Sequence, residues 1–434
     1  MGKKFFIQTY GCQMNLYDEG IIKEILNQEG YAPAEKEEEA SLLLVLTCSV
    51  RKHAETRALG FISSLRRLKY KDPKKKIGVL GCLATALGEK LFSYGVDFIL
   101  GPDEYKELPR VLKDSGCPIR HQGFPGETYQ DILPRTEGIK AFLSIIRGCN
   151  NFCSYCIVPY VRGQERSKDF LAVIKEAEIL VGAGVKEITL LGQNVLGYKS
   201  NGFTFLDILK ELNKIDGLKR IRFLTSHPRD LSFPLIEEMA KLISAGKLCP
   251  EFHLPLQSGS NKILSLMRRG YTREEYQKKI NYLRSLIPDV AITTDLMVGF
   301  PAEREEDFQE TMALVEDIRF DFAYMFKYSE RPNTKASEIE PKVAEEVKKQ
   351  RLTHLIEVQN QITKERNEEM VGKVFEVLVE DRIGEEFRGK TRSGKMIIIK
   401  KPALILGEVY LVKIVRLNGW TPVGQIIDNQ MEDL

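Results

Sequence analysis

The spacing of the cysteines constrains this chain more than any other feature of its sequence. Cys149, Cys153 and Cys156 form a C-x3-C-x2-C loop directly after an apolar run. Three thiolates this close can hold three corners of an iron–sulfur cubane and leave one iron without a protein ligand. A structural zinc site would need a fourth Cys or His, and the loop contains neither. We therefore predict an iron–sulfur cluster with one iron open to a substrate or cofactor.

A second set of three cysteines is dispersed along the N-terminal part of the chain. Cys12, Cys48 and Cys82 each come just after a short apolar run that predicts a buried parallel strand. Any one of them could be a buried core cysteine, which is the usual position of a free thiol. The carboxyl ends of parallel strands meet at one sheet edge, so three equivalent positions predict a second cluster, also with one open iron. Cys117 and Cys249 are predicted to be thiols without a metal.

Composition and charge limit the cellular setting and the partners. A chain that is 43% hydrophobic can bury sizeable cores, which excludes a disordered or fibrous protein. Eight cysteines in 434 residues are too sparse for a disulfide framework, and the sequence shows neither a secretory signal nor an apolar run near the ~18 residues of a membrane helix. These features predict a cytoplasmic protein without a membrane partner.

The basic residues are unevenly distributed, although 64 Lys and Arg against 61 Asp and Glu leave a net charge of only +3. Residues 50–76 carry ten basic and two acidic residues, and residues 387–420 carry eight basic and one acidic residue. Either run alone is most simply a solvated surface. Two such runs in an otherwise acidic chain favour a polyanionic partner.

The order of apolar and amphipathic segments predicts an α/β protein with three domains and a linker. Residues 1–116 alternate strand and helix patterns, which predicts an open parallel α/β sheet. Residues 117–138 are rich in Gly and Pro and read as a linker. Residues 139–370 contain six strand patterns with helices between them, which predicts an incomplete α/β barrel. Residues 371–434 have short β patterns with Gly turns, which predicts a small β-barrel.

The motifs resemble those of a known family over essentially the whole chain. The segment Arg147–Gly163 resembles the radical S-adenosylmethionine loop of the methylthiotransferases, and Thr9–Asn15 resembles the opening motif of their tRNA-modifying branch. Further similar segments are Thr225–Pro228, His253–Ser260 and Asp295–Pro301, and the C-terminal region resembles a TRAM domain. Gln13-Met14-Asn15 favours the branch that acts on isopentenyladenosine over those that act on threonylcarbamoyladenosine or a ribosomal protein.

This resemblance implies two [4Fe-4S] clusters with different roles. On Cys149, Cys153 and Cys156, the open iron would bind S-adenosylmethionine, whose reductive cleavage yields a 5′-deoxyadenosyl radical. On Cys12, Cys48 and Cys82, a second cluster would hold the sulfur that is methylated and transferred. Two equivalents of S-adenosylmethionine would be used per turnover.

The cofactor should lie among the loops that follow the barrel strands. We predict that it contacts residues in the cluster loop and at successive strand ends, namely Tyr155, Gln193, Asn194, Ser226, His227, Gln257, Ser258, Gly299 and Phe300. Loop packing or a helix cap is the alternative for each polar residue. Arg162 and Arg166 could meet the cofactor carboxylate, an RNA phosphate or a surface carboxylate.

The implied substrate is N6-isopentenyladenosine next to the anticodon of tRNA, modified at carbon 2 to the 2-methylthio derivative. We predict that Arg388, Lys390 and Arg392, beside Phe387 and Trp420, bind the anticodon stem-loop, although both aromatic residues could instead be barrel core. An external electron donor and a sulfur source would also be needed. The alternatives are a threonylcarbamoyladenosine enzyme, an enzyme for a ribosomal protein Asp, and an iron–sulfur RNA sensor without turnover. Two departures from the family pattern are Ala302-Glu303-Arg304, in place of Gly-Glu-Thr, and an apolar segment from Ser393 to Leu406.

Overall fold

The N-terminal region is an all-parallel six-stranded sheet with strand order β2-β1-β3-β4-β5-β6. The computed structural model describes residues 3–50, 52–113, 119–120, 126–136, 138–400 and 403–427. The strands are β1 Lys4–Thr9, β2 Ala32–Pro33, β3 Leu42–Thr47, β4 Lys76–Gly81, β5 Phe98–Leu100 and β6 Ile119–Arg120, and the helices are α1 Gln13–Gln28, α2 Lys52–Lys71, α3 Cys82–Leu87 and α4 Leu108–Lys113. All six residues of β3 are buried, as a central parallel strand with both faces covered requires.

The sequence predicted this parallel sheet but not all of its elements. Strands β2 and β6 have two residues each and no apolar run, and β6 lies inside the predicted linker. The helix predicted over residues 84–94 is instead α3 followed by a 3-10 helix, Gly88–Tyr94, because Gly88 adopts a positive φ of 53°. Cys117 lies outside the described residues.

The central region contains the six predicted parallel strands, divided into two three-stranded sheets. Its elements are β7 Lys140–Ser144, β8 Ile146–Arg147, α5 Val158–Arg162, β9 Arg166–Ser167, α6 Phe170–Gly182, β10 Glu187–Leu191, β11 Lys199–Ser200, β12 Phe203–Thr204, α7 Phe205–Leu212, β13 Arg220–Phe223, α8 Phe233–Ser244, β14 Glu251–His253, α9 Asn261–Leu266, α10 Arg273–Leu286, β15 Ala291–Val298, α11 Glu305–Ile318, β16 Phe322–Lys327 and α12 Glu345–Glu368. The sheets β13-β10-β7 and β14-β15-β16 are joined by a single bridge between Ile221 and Leu248. The ladder ends there because the Glu251 N–H turns back to the Cys249 carbonyl.

The C-terminal region is a closed five-stranded barrel with strand order β17-β18-β19-β21-β20. Its strands are β17 Val374–Ile383, β18 Glu386–Thr391, β19 Met396–Lys400, β20 Val409–Asn418 and β21 Thr421–Ile426. Strand β18 was not predicted, because its buried residues Phe387, Gly389 and Thr391 include only one large apolar side chain. The fold class predicted from the sequence is therefore confirmed, whereas the domain bounds at 116, 138 and 370 remain predictions.

The three regions meet at opposite ends of the central strands. The N-terminal sheet contacts the carboxyl ends, where Asp18 of α1 pairs with Arg147 at the end of β8. The small barrel contacts the amino ends, where Arg220 and Arg222 at the start of β13 donate to carbonyl oxygens of Glu376, Lys390, Thr391 and Arg392. The cysteine-bearing loops therefore face each other on the side away from the small barrel. Within the described residues, no helix is both long and apolar enough to cross a membrane.

Candidate functional site

The dispersed cysteines converge because β1, β3 and β4 are neighbours in the sheet. Cys12 precedes α1, Cys48 directly follows β3, and Cys82 begins α3. The backbones at Gly11 and Gly81 have φ of 126° and 89°, and a Cβ at Gly11 would overlap the Cβ of Cys48. Glycine is thus required at Gly11 for the close approach of the first two cysteine loops.

The electrostatics within this triad are asymmetric. The Cys48 thiol donates a hydrogen bond to Cys12, and this bond lowers the pKa of Cys12, assisted by the positive charge of Arg162. The same bond, together with burial, raises the pKa of Cys48. Burial also raises the pKa of Cys82. Cys12 is therefore the thiol of this triad that most readily becomes a thiolate ligand.

The loop triad lies between β8 and α5. Cys149 and Cys153 are buried and Cys156 is half-buried. Burial, followed by the neighbouring Cys153, raises the pKa of Cys156 to about 12. Gly148 has a φ of 77°, and a Cβ there would overlap the carbonyl of Gln164, so the turn into Cys149 needs glycine.

Both triads line one cavity of about 590 Å³ at the carboxyl ends of the strands, which continues through the central region to the small barrel. Val50 lines this cavity while 49% of its surface is exposed, and we call the opening beside it the cavity mouth. Among the described residues, no group of three or more His, Cys, Asp or Glu is arranged to hold a single metal ion. A cubane spreads its thiolate ligands over separate iron corners, so two sets of three thiols suit clusters better than single ions.

Each triad receives a hydrogen bond from one buried arginine. Arg162 Nε donates to Cys82 Sγ at 3.2 Å, and Arg269 Nη1 donates to Cys153 Sγ at 3.4 Å. Both side chains are 4% exposed. Such donors stabilise thiolate charge in a low-dielectric site, which supports metal-ligand chemistry at both triads.

Arg162 also connects the N-terminal sheet to the central region. Its Nη2 donates to Asn15 Oδ1 at 3.1 Å and to Asp18 Oδ2 at 3.2 Å. Arg147 Nη1 pairs with the other Asp18 oxygen at 2.7 Å, and Tyr105 donates to the same carboxylate. Arg162 is thus buried and does not form a surface salt bridge. Its Nη1 has no hydrogen-bond partner among the described residues and the side chain lines the cavity, so a contact with the cofactor carboxylate stays a prediction.

Five of the predicted cofactor residues line the cavity: Tyr155, Gln193, Ser226, His227 and Gln257. Gln193 Oε1, Ser226 Oγ and His227 Nε2 are buried polar atoms without a hydrogen-bond partner among the residues that the structure describes. Burial, followed by the charges of Arg269 and Arg229, lowers the pKa of His227 to about 2, so its ring is neutral. Buried polar atoms without partners are costly, and a polar ligand such as S-adenosylmethionine would satisfy them.

The other four predicted cofactor residues do not line the cavity, which corrects the expectation from strand ends alone. Asn194 is engaged with Asp230 and the His227 backbone, and Ser258 contacts Thr311 of α11. Gly299 is covered by the side chain of Lys348, and Phe300 is fully buried against Tyr328. These four residues therefore make contacts within the protein next to the strand ends, outside the cavity lining.

The predicted RNA residues of the small barrel lie mostly toward the central region. Arg392 Nη2 donates to the carbonyls of Ile243 and Leu248 at 2.8 and 2.9 Å, and Lys390 lines the cavity. Arg388 is half-buried, Phe387 is core, and Trp420 is 46% exposed. Arg392 thus anchors the barrel to the central region, and its guanidinium is not presented to a partner. This corrects the prediction that Arg392 binds RNA, which was made without knowledge of strand β18 directly before it.

Several residues of the site could not be identified from any sequence pattern. Arg269 is the second of two consecutive arginines, and no periodicity distinguishes it from exposed Arg268. Asp18 lies in α1 among other charged residues, although it is fully buried. Cys249, predicted to be a thiol without a metal, is buried near Arg222 at the opposite end of the strands from the triads.

Comparison with known families and proteins agrees with this geometry. Residues 143–315 match the Radical SAM superfamily, and residues 4–101 match a family described as Uncharacterized protein family UPF0004. The chain is 45% identical to the tRNA-2-methylthio-N(6)-dimethylallyladenosine synthase of Pelotomaculum thermopropionicum, over 95% of each chain. It is 42% identical to the enzyme of that name from Thermodesulfovibrio yellowstonii, over 98% of this chain and 99% of the relative.

Solved structures share the fold at low sequence identity. The radical S-adenosylmethionine methyltransferase TsrM from Kitasatospora setae superimposes with a TM-score of 0.59 at 14% identity, over 77% of each chain. The cobalamin-dependent radical enzyme OxsB gives a TM-score of 0.54 at 14% identity, over 83% of this chain and 57% of that one. The match of residues 143–315 to the Radical SAM superfamily, together with the cysteine loop, defines a radical S-adenosylmethionine enzyme. Within that class, the chain belongs to the methylthiotransferase family of the tRNA-2-methylthio-N(6)-dimethylallyladenosine synthases.

Proposed function

We propose that this protein transfers a methylthio group to carbon 2 of N6-isopentenyladenosine next to the anticodon of tRNA. The observation that carries the proposal is the single cavity lined by all six cysteines of the two triads. A target base in that cavity can reach both sets of thiols without leaving the protein. Relatives at 41–45% identity that carry the synthase name support the choice of substrate.

The thiols of the two triads fit [4Fe-4S] clusters. Cys149, Cys153 and Cys156 would hold the cluster that binds S-adenosylmethionine, and Cys12, Cys48 and Cys82 would hold the one that carries the transferred sulfur. When bound and reduced, these groups supply radical hydrogen abstraction and sulfur insertion at an unactivated aromatic carbon. Two equivalents of S-adenosylmethionine per turnover follow from the need for one radical and one methyl group.

The residues of the chain bind and orient the cofactor and exclude water. Gln193, Ser226 and the neutral His227 offer unpartnered polar atoms to a polar ligand in the cavity. Tyr155 would place an aromatic ring beside it, since the Tyr155 hydroxyl is held by Arg269 Nη1 at 3.4 Å. Arg162 and Arg269 would each stabilise a thiolate ligand through the hydrogen bonds described above.

The sequestered position of the cavity supports radical chemistry. The packing of α1 and β7 against each other, together with the Asp18 ion pairs, forms a buried contact between the N-terminal sheet and the central region. Such a contact protects a reactive intermediate from solvent. An adenosine would have to leave its base stack to enter, as in other enzymes that act on a nucleobase.

We propose that the remaining partners are an external electron donor and a source of replenishing sulfur. We also propose that the small barrel acts as a TRAM-type RNA contact through Arg388 and Lys390. Arg392, whose guanidinium docks the barrel, would contribute only indirectly.

Anaerobic reconstitution with iron and sulfide, followed by reaction with reductant, S-adenosylmethionine and isopentenylated tRNA, tests the proposal. Nucleoside mass spectrometry should detect 2-methylthio-N6-isopentenyladenosine together with 5′-deoxyadenosine. A product only with threonylcarbamoylated tRNA or with a ribosomal protein would assign the chain to one of the other two branches. Absence of S-adenosylmethionine cleavage in protein carrying both clusters would leave the sensor hypothesis as the explanation.

A further inference from the structure

The basic run at residues 50–76 has no place in the site described so far. We propose that the outer face of α2 and the turn after it bind the sugar–phosphate backbone of the tRNA substrate. This surface, called the basic face below, consists of Arg57, Arg66, Arg67, Tyr70, Lys71 and Lys74. The inference rests on the proposed function, because it supplies the RNA grip for that reaction.

The charge of the basic face is not used inside the protein. Lys69 pairs with Asp97, and Lys75 donates to the carbonyls of Glu38 and Ala40, so these two basic residues are structural. Arg66, Arg67, Lys71 and Lys74 are exposed and form no ion pair with any residue that the structure describes. Asp72 is the one acidic side chain in the turn between Lys71 and Lys74, and its carboxylate accepts a hydrogen bond from the Lys74 backbone N–H at 3.1 Å. The basic face therefore keeps an excess of positive charge, which attracts a polyanion.

The shape of the basic face suits a nucleic acid strand. Gly60, Ser63 and Ser64 are exposed small residues between Arg57 and Arg67, so a phosphate can approach the helix closely there. Tyr70 is 90% exposed and lies with Arg66, Arg67 and Lys71 along a shallow groove. An exposed aromatic ring among arginines is the combination that stacks on a nucleobase or sugar while cations hold the backbone.

The basic face begins where the base must enter. Arg331 holds the first turn of α2 at the cavity mouth by pairing with Glu55 at 2.7 Å and donating to the Val50 carbonyl at 2.9 Å. Arg57 packs on the ring of Tyr10, two residues before Cys12. From this point α2 extends for about 30 Å, so one RNA strand can place a nucleotide at the mouth and its neighbours along the helix.

The small barrel cannot provide this grip near the cavity mouth. It covers the amino ends of the central strands, and Arg392 is engaged with Ile243 and Leu248. A residue such as Arg388 could therefore contact only RNA that passes the opposite end of the central region. The basic face is continuous with the entrance itself.

The test uses full-length protein carrying both clusters and a triple variant, Arg67→Gln, Lys71→Gln and Lys74→Gln. The matched control removes three exposed cations on other helices, Lys175→Gln, Lys278→Gln and Lys364→Gln. Binding of isopentenylated tRNA is measured at several salt concentrations. We expect affinity to fall about ten-fold or more, and the slope of log K against log salt to decrease by about one for each phosphate that the protein no longer neutralises. The control set should change neither quantity appreciably.

Tyr70→Ala tests the stacking contact separately. We expect affinity to fall about five-fold or more with an unchanged salt slope, and Tyr70→Phe to retain the affinity of the wild type. Cleavage of S-adenosylmethionine without RNA should be the same in all variants, which shows that the fold and clusters are intact.

An unchanged tRNA affinity and an unchanged salt slope in the triple variant would overturn the proposal. If that variant also accepted electrons more slowly from an acidic donor protein, the basic face would be the binding surface for the donor protein. In that case the wild type would still methylthiolate tRNA and the proposed function would stand. Failure of the wild type to bind or modify any tRNA would instead overturn the proposed function itself.

Discussion

The two cysteine triads reach the same cavity by different routes. The loop triad is contained in eight residues, so a turn of chain brings its thiols together whatever the rest of the fold does. The dispersed triad spans 71 residues and exists only when β1, β3 and β4 pair side by side in register. One metal site is therefore encoded locally and the other by sheet topology, which makes the second more sensitive to mutations at a distance.

The triads also differ in the pKa values of their thiols. In the dispersed triad, a hydrogen bond between Cys48 and Cys12 lowers one thiol pKa and raises the other. In the loop triad, burial raises the pKa of Cys149 and of Cys156. Before a cluster is present, the first site therefore already favours one thiolate, whereas the loop site must lose protons as iron binds.

The largest expected effect separates the roles of the triads. Changing Cys149, Cys153 and Cys156 to Ala should abolish 5′-deoxyadenosine formation and reduce iron from about eight to about four per chain. Changing Cys12, Cys48 and Cys82 should remove the same amount of iron but leave reductive cleavage, while no sulfur is transferred to tRNA. Chromatography of cleavage products and nucleoside mass spectrometry provide the two readouts. A dispersed-triad variant that still methylthiolates tRNA would contradict the division of roles.

The difference in thiol acidity should appear as different alkylation rates in iron-free protein. Because the pKa of Cys12 is lowered, this thiol should be alkylated by iodoacetamide at about pH 7, with the rate levelling off as pH rises further. Cys156, with a pKa of about 12, should react slowly and continue to accelerate up to about pH 10. Both side chains are partly exposed, and peptide mass spectrometry would give a ratio of about ten-fold or more near neutral pH. Equal rates at that pH, or a faster Cys156, would show that the asymmetry is absent.

The two buried arginines should differ in their contribution to stability. Arg162→Gln leaves the fully buried Asp18 carboxylate with Arg147 as its remaining cationic partner and should lower the free energy of unfolding by about 3–5 kcal/mol. Arg269→Gln removes bonds to a thiol, two phenols and a carbonyl and should cost about 1–3 kcal/mol. Urea unfolding of iron-free protein measures both. The additional variant Asp18→Asn should offset part of the loss in Arg162→Gln, and a double mutant that is simply additive would argue against the ion pair.

An effect smaller than that of Arg162→Gln is expected at the glycine before Cys82. Gly81→Ala should destabilise the protein by about 2 kcal/mol, because a Cβ would meet the Thr47 carbonyl at 2.7 Å in addition to the strain of a positive φ. Gly184→Ala is the matched control, since Gly184 also has a positive φ of 101° but open space around it. Iron analysis of the Gly81 variant should show partial loss from the dispersed site only. Identical losses of stability in both variants would mean that only the backbone strain matters.

Sequence reasoning reached the parts of the molecule that repeat a pattern. The apolar runs before Cys12, Cys48 and Cys82 predicted parallel strands and hence convergence, and the structure brings these residues to one cavity. The sequence did not predict that the side chains of Asn194 and Ser258 lie outside the cavity lining, because a position after a strand does not reveal which way the side chain points. It also missed Arg269 and the burial of Asp18, whose roles depend on residues more than a hundred positions away.

The Asp18 ion pairs have a consequence for the order in which the protein is made. Asp18 emerges from the ribosome well before Arg147 and Arg162, which lie 129 and 144 positions later in the chain. Contacts of such separation form late, whereas strands β1, β3 and β4 can pair as soon as residue 81 is available. We expect a nascent chain in which Cys12, Cys48 and Cys82 already stand together at an open sheet edge. During this interval, we expect carriers of iron and sulfide to reach these thiols before the central region has folded against them.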